Sequence, residues 1–141
     1  MQAWAFPATV TVDEEGGYTF QFTDMPEGIT GAATLEEARA LAPDCLDVVV
    51  QIRLERGEEV PAPRSPREGE ELVPLEPVTA ARAALAQAMA AERLTNVALA
   101  NRMGKSEGAV RRIVSGRGRV KMDTVMEALA ATGRRGVFAT L

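Results

Sequence analysis

The chain has 141 residues, a formal net charge of −4, one cysteine and no histidine. The missing histidine excludes Ser-His or Cys-His catalysis and a zinc site with several Cys or His ligands. A single cysteine excludes an intramolecular disulfide. No run approaches the roughly 18 apolar residues of a membrane span, and the first residues lack the basic and apolar regions of a signal peptide. These features predict a cytoplasmic protein with no membrane partner, metal or cofactor.

Charge is divided unequally along the chain. Residues 1–77 carry a net charge of −11, whereas residues 78–141 carry +7. This asymmetry predicts two parts with different partners, the basic part being a candidate for nucleic acid. The alternative is uneven decoration of one surface.

The first 32 residues predict a small antiparallel sheet. Apolar residues alternate along one face of a first strand: Trp4, Phe6, Ala8, Val10 and Val12. "DEEGG" (13–17) has turn chemistry, and the alternation of Tyr18, Phe20 and Phe22 predicts a strand that returns as a hairpin. After the turn-like "DMPEG" (24–28), "ITGA" (29–32) supplies a third strand.

A long helix is predicted after the sheet. Thr34 and Glu37 fit a capping box, and apolar residues at helical spacing predict a face that covers the sheet: Leu35, Ala38, Leu41, Cys45, Leu46, Val49 and Ile52. Pro43 predicts a kink, and the thiol of Cys45 is expected to be buried and inert. Residues 1–60 then form one module, and 61–77 a Pro- and acid-rich connector in which "LVPL" (72–75) can add an edge strand.

The last part of the chain, 78–141, predicts four short helices. After a helix over about 79–92, Thr95 is expected to cap "NVALANRM" and Ser106 to cap "EGAVRRIV", with "KMDTVMEALAAT" forming the last helix. Ala100, Gly104, Val110 and Ile113 have the types and spacing that lock a helix-turn-helix. A small helical bundle with a solvated basic face is the alternative.

In a helix-turn-helix, the second helix enters the major groove, where arginine can bridge guanine O6 and N7. The predicted DNA-binding residues lie on this helix, just after it, and at the N-terminus of the preceding helix, whose N–H groups can bind a phosphate. They are Thr95, Asn96, Ser106, Glu107, Gly108, Arg111, Arg112, Arg117, Arg119 and Lys121.

The two halves together resemble the HicB family of type II toxin–antitoxin antitoxins. The resemblance rests on "FPATVTVDEEGGYTFQFTDMPEG" and "TLEEARALAPDCLDVVVQIRLERGEEVPAP" in front, and on "NVALANRMGKSEGAVRRI" and "MEALAATGRR" behind. It implies an α+β chain, in which a partial ribonuclease-H-like module of a small antiparallel sheet and one covering helix precedes an all-α helix-turn-helix domain. It also implies two partners: a small basic HicA-type toxin that cleaves mRNA, blocked by the front module, and operator DNA, bound by the back domain.

Five acids on turns beside the sheet are the candidates for toxin contact: Asp13, Glu14, Glu15, Asp24 and Glu27. A magnesium-dependent nuclease built on Asp13, Glu14, Glu15 and Asp24 is disfavoured, because three of them are consecutive in one turn. A stand-alone transcriptional regulator with a sensing front module is the alternative function. We expect a homodimer or a dimer of dimers, because one recognition helix reads too few base pairs.

Overall fold

The computed structural model describes residues 1–141 and divides them into two compact units. The first contains residues 1–49 and 61–76 with Leu141, and the second contains residues 50–60 and 77–140. Three strands and a long helix come first, then a fourth strand and four helices, which confirms the predicted α+β class. Their bounds are β1 Ala5–Val12, β2 Tyr18–Phe22, β3 Ile29–Ala32, α1 Leu35–Arg56, β4 Glu70–Pro74, α2 Pro77–Glu92, α3 Asn96–Met103, α4 Glu107–Val114 and α5 Met122–Ala131.

The four strands form one antiparallel sheet in the order β3-β2-β1-β4. The predicted hairpin and the third strand are confirmed, and residues 72–74 of "LVPL" belong to β4 at the sheet edge. The aromatic side chains Phe6, Phe20 and Phe22 are buried, as are Ala38 and Leu46 of α1. Val12 is 63% exposed, so its place on the inward face was wrong; it lies at the hairpin end of β1, opposite Tyr18.

α1 begins after Thr34, whose side chain accepts a hydrogen bond from the Glu37 N–H at 3.2 Å, and the helix continues through Pro43. Its buried side agrees with the predicted one at Ala38, Leu46 and Val49 and departs from it elsewhere. Leu41 is 44% exposed and Ile52 40% exposed, whereas the unpredicted Ala42 is buried. The prediction was wrong at Leu41 and Ile52 because α1 carries two apolar stripes about 100° apart, and periodicity does not say which one faces the sheet. Cys45, on the outer stripe, is half-buried, and this partial burial raises the pKa of its thiol.

A half-buried arginine network fixes the segment before β4. The guanidinium of Arg64 donates to Asp24 at 2.9 Å and to Glu70 at 2.8 Å. Glu70 also accepts from the Thr23 hydroxyl at 2.6 Å and from the Arg67 N–H at 2.8 Å. These bonds hold the pKa of the Glu70 carboxyl at about 2, well below its usual 4.5. The chain before β4 is thus tied to the β2–β3 turn.

In the second unit, α2 to α5 surround a core that includes Leu85, Leu99, Val110 and Val125. Each of these side chains is fully buried. No helix in the structure has the length and apolar character needed to cross a membrane.

Candidate nucleic-acid interface

α3 and α4 are joined by a tight turn that is fixed by residues within it and beside it. The Thr95 side chain caps α3 by accepting from the Ala98 N–H at 3.1 Å, and Ser106 caps α4 in the same way through the Ala109 N–H. Between them, Gly104 takes a left-handed conformation with φ 65°, which glycine adopts without steric cost. The predicted caps and turn are confirmed.

The inner side of α4 packs into the second unit. Val110 and Ile113 are buried there, beside the buried Leu99 and Ala100 of α3. The outer side carries Glu107, Gly108, Arg111 and Arg112, with both arginines exposed. α4 therefore presents a polar, arginine-bearing surface to solvent while its apolar side fixes its orientation.

The most exposed part of this surface is held by an ion pair along the helix. Arg111 Nη2 lies 2.5 Å from each carboxylate oxygen of Glu107, one turn earlier, and the arginine side chain is 62% exposed. Exposed pairs of this kind contribute only a few tenths of a kcal/mol. The pair therefore orients Arg111, and because it contributes so little free energy the guanidinium can exchange to another acceptor at small cost.

Gly108 sits on the same surface without a structural need for glycine. Its φ lies outside the left-handed range, and a Cβ built there would meet only Arg112 Nη1, at 4.0 Å. Glycine within a helix costs about 0.5–1 kcal/mol relative to alanine. The missing side chain leaves room for another surface to approach the α4 backbone closely.

A buried arginine organises the end of α4. Arg82 of α2 is 3% exposed, and its guanidinium donates to the carbonyl oxygens of Ile113 at 3.1 Å and Arg112 at 3.2 Å. It also donates to the carbonyls of Gly118 at 3.0 Å and Arg117 at 3.2 Å. The last carbonyls of a helix have no partner within it and carry partial negative charge. Arg82 thus joins the end of α4 to the following loop, and its desolvation lowers its pKa.

The basic residues after α4 are placed by this loop. The Gly116 backbone is buried, and a Cβ there would lie 2.9 Å from the Gln51 carbonyl oxygen. Arg117 donates to Glu55 at 2.8 Å but keeps 72% of its side chain exposed. Arg119 and Lys121 are exposed.

Comparison with known proteins assigns the chain to a family. The family model for the HicB-like antitoxin of bacterial toxin–antitoxin systems matches residues 5–84. The chain belongs to the HicB-like antitoxin family. Antitoxin HicB 1 of Photorhabdus laumondii is 35% identical over 130 residues, which span 92% of this chain and 83% of the relative. Antitoxin HicB of Escherichia coli K12 is 30% identical over 129 residues, spanning 92% and 94%.

These relatives are matched well beyond the family model, through most of the helical part of the chain. The HicB-like chain thus has an antitoxin role in a toxin–antitoxin system, and this favours the antitoxin over a stand-alone regulator. The predicted DNA-binding residues fall into three places in one unit. These are the start of α3 (Thr95, Asn96), α4 with its cap (Ser106, Glu107, Gly108, Arg111, Arg112) and the loop to α5 (Arg117, Arg119, Lys121).

The candidate toxin-contacting acids of this HicB-like antitoxin do not share one place. Asp13, Glu14 and Glu15 lie in the β1–β2 turn, whereas Asp24 and Glu27 lie in the β2–β3 turn. The five residues of β2 separate the two turns by about 17 Å. Asp13 caps its own turn by accepting from the N–H groups of Glu15 and Gly17 at 2.9 and 2.8 Å. With Asp24 paired to Arg64, these acids form two separate groups.

Sequence reasoning missed Arg82 and Arg64. A signal existed for Arg82, because it is the one arginine at an apolar register position of α2, among Ala81, Leu85 and Met89. A charged residue on the core side of a helix must find a buried partner. Arg64 had no such signal, since it lies in a segment without periodicity.

Proposed function

We propose that this antitoxin has two separable activities. Its acidic first unit binds and neutralises a small, basic, mRNA-cleaving toxin of the HicA type. Its second unit binds operator DNA through α4 and represses the operon. The observation that carries the DNA-binding half is the outer surface of α4. It presents two exposed arginines and Gly108, a position where the fold does not require glycine, while the buried Val110 and Ile113 fix the orientation of the helix.

The geometry of α4 suits base recognition in the major groove. Arg111 is held only by a surface ion pair, so guanine O6 and N7 can replace the carboxylate of Glu107 as acceptors. Arg119 and Lys121 lie beyond the helix end, where phosphates flank a recognition helix. The N–H groups at the capped start of α3, beside Thr95 and Asn96, suit a further phosphate.

Charge supports the toxin-binding half. The first unit carries 13 acids and 3 bases, and this net charge of −10 attracts a basic ribonuclease and repels its RNA substrate from the same surface. Complementary fields of this kind accelerate association and select partners. An acidic surface also discourages this part of the chain from approaching DNA.

The proposal includes assembly into a homodimer or a dimer of dimers. A single α4 contacts only a few base pairs, and two copies on adjacent half-sites supply the affinity that specific repression requires. Light scattering after size-exclusion chromatography measures the mass; a monomer at operator-binding concentrations contradicts this part.

Arg111→Ala tests the DNA-binding half, with Arg135→Ala as its control. Both changes remove one exposed positive charge from the second unit, but Arg135 lies beyond α5. Fluorescence anisotropy with operator and unrelated duplexes should show operator affinity weakened by about 1–3 kcal/mol for Arg111→Ala only. Equal losses on both duplexes would show that Arg111 positions the helix on the backbone and does not read bases.

A further inference from the structure

The outer side of α1 in the first unit carries apolar side chains that the rest of the chain leaves partly exposed. Leu41 is 44% exposed, Val48 is 55% exposed, and Cys45 between them is half-buried. Their spacing of four and three residues places them on one side of the helix, away from the side that faces the sheet. Single exposed apolar residues are ordinary, but three in register form a continuous surface.

Two acids share this surface. Glu37 lies one turn before Leu41, and Asp44 lies between Leu41 and Val48 at the same helical spacing. Both are exposed, and neither forms an ion pair. Arg39, the only basic residue of α1 in this unit, is bound to Glu71 at 2.6 Å. We call the set Glu37, Leu41, Asp44, Cys45 and Val48 the α1 face; it is apolar, negative and without basic groups.

The negative charge of the α1 face favours a basic partner over a second copy of this chain. A second copy of this chain would bring an identical face, with its own unpaired carboxylates, into an interface of lowered dielectric, where like charges repel strongly. A partner that carries Lys or Arg around an apolar side chain would neutralise Glu37 and Asp44 while it buries Leu41 and Val48. Such an arrangement, apolar at the centre with charge complementarity around it, is typical of specific interfaces.

We propose that the α1 face is the docking surface for a basic protein partner. The inference rests on the proposed function, under which that partner is the toxin. It moves the expected contact from the turn acids to the helix. The turn acids lie at opposite ends of β2, and two of them, Asp13 and Asp24, are engaged within the fold.

The test combines Leu41→Gln with Val48→Gln in the full-length chain. Glutamine keeps the helix propensity and removes the apolar contact. Val12→Thr is the matched control, since Val12 is a 63% exposed apolar residue on β1, away from α1. Under the proposed function, a small basic toxin is encoded beside this chain's gene; that protein, purified and titrated by calorimetry, is the probe. Affinity should fall at least about tenfold for the glutamine pair and by less than about twofold for the control.

A second variant, Glu37→Gln with Asp44→Asn, tests the electrostatic part. It should slow association and flatten its dependence on salt, with less effect on dissociation. Far-ultraviolet ellipticity and the fluorescence of Trp4, which lies in the same unit as the α1 face, report whether each variant is folded.

The outcomes separate the two levels of the proposal. If the unchanged chain does not bind the probe, the proposed function fails. If it binds and the glutamine pair binds equally well, the α1 face is overturned while the proposed function stands. If the mass of the double glutamine variant falls from that of an oligomer to that of a monomer, a second copy of the chain occupies the α1 face. That result would also overturn the proposal of a basic partner there.

Discussion

Replacing Arg82 with methionine should destabilise the second unit and weaken DNA binding together. The methionine side chain can fill much of the space of the arginine stem within the core formed by α2, α4 and α5. It cannot donate to the four carbonyl oxygens that Arg82 now satisfies. The change therefore removes hydrogen bonds while it largely preserves packing.

The magnitude follows from which carbonyls lose their partner. A hydrogen bond from a charged donor contributes about 1.5–3 kcal/mol. Water can reach the carbonyls of Arg117 and Gly118 in the exposed loop, so their loss is small. The carbonyls of Arg112 and Ile113 end α4, and the bond to Ile113 is buried. These two account for about 3 kcal/mol in the free energy of unfolding, since the desolvation of the guanidinium is relieved at the same time.

Thermal unfolding followed by ellipticity at 222 nm measures this loss. For a unit of this size, about 3 kcal/mol lowers the melting temperature by at least about 12 °C. The single tryptophan, Trp4, lies in the first unit, so its fluorescence is an internal control for that unit. Arg82→Lys keeps the charge but not the planar guanidinium, so its melting temperature should lie between those of the unchanged chain and the methionine variant. A methionine variant with unchanged melting temperature and operator affinity would refute the role assigned to Arg82.

Three further predictions concern single residues. Glu70→Gln should remove a pH dependence: the folded pKa of Glu70, about 2 against an ordinary 4.5, contributes stability above pH 4.5 that is lost as the pH falls towards 2. The melting temperatures of the first unit should therefore differ at pH 7 and converge near pH 2; a constant difference would contradict the assignment. Gly108→Ala should leave the melting temperature equal or slightly higher, because alanine favours the helix, and weaken operator binding in anisotropy titrations; unchanged affinity would show that α4 does not approach DNA at this point. Glu107→Gln should tighten binding to unrelated duplexes, since it removes a negative charge opposite the phosphates, and so lower the ratio of operator to unrelated affinity; an unchanged ratio would contradict the pairing role of Glu107.

The elements that sequence predicted well are those fixed by local chemistry. Thr95 and Ser106 cap helices through N–H groups three residues away, and Gly104 turns the chain through its own φ. Each of these interactions closes within one turn, so the residues nearby carry the whole signal. The same is true of the β1–β2 hairpin.

The remainder depends on contacts between distant parts of the chain. Arg82 bonds to residues more than 30 positions away, and Arg64 to Asp24 across 40. The choice of the buried side of α1 is also tertiary: helical periodicity fits both the stripe with Leu41 and the stripe with Ala42. Only the shape of the sheet decides between them.

The most direct test of two separable activities measures both in the same cells. A strain carries the gene of the proposed toxin partner under an inducible promoter and a fluorescent reporter behind the operator. The chain with Arg111→Ala should restore growth as well as the unchanged chain does, while the reporter is derepressed. Growth rescue and repression that are lost together, or both retained, would contradict the division of labour between the acidic first unit and α4.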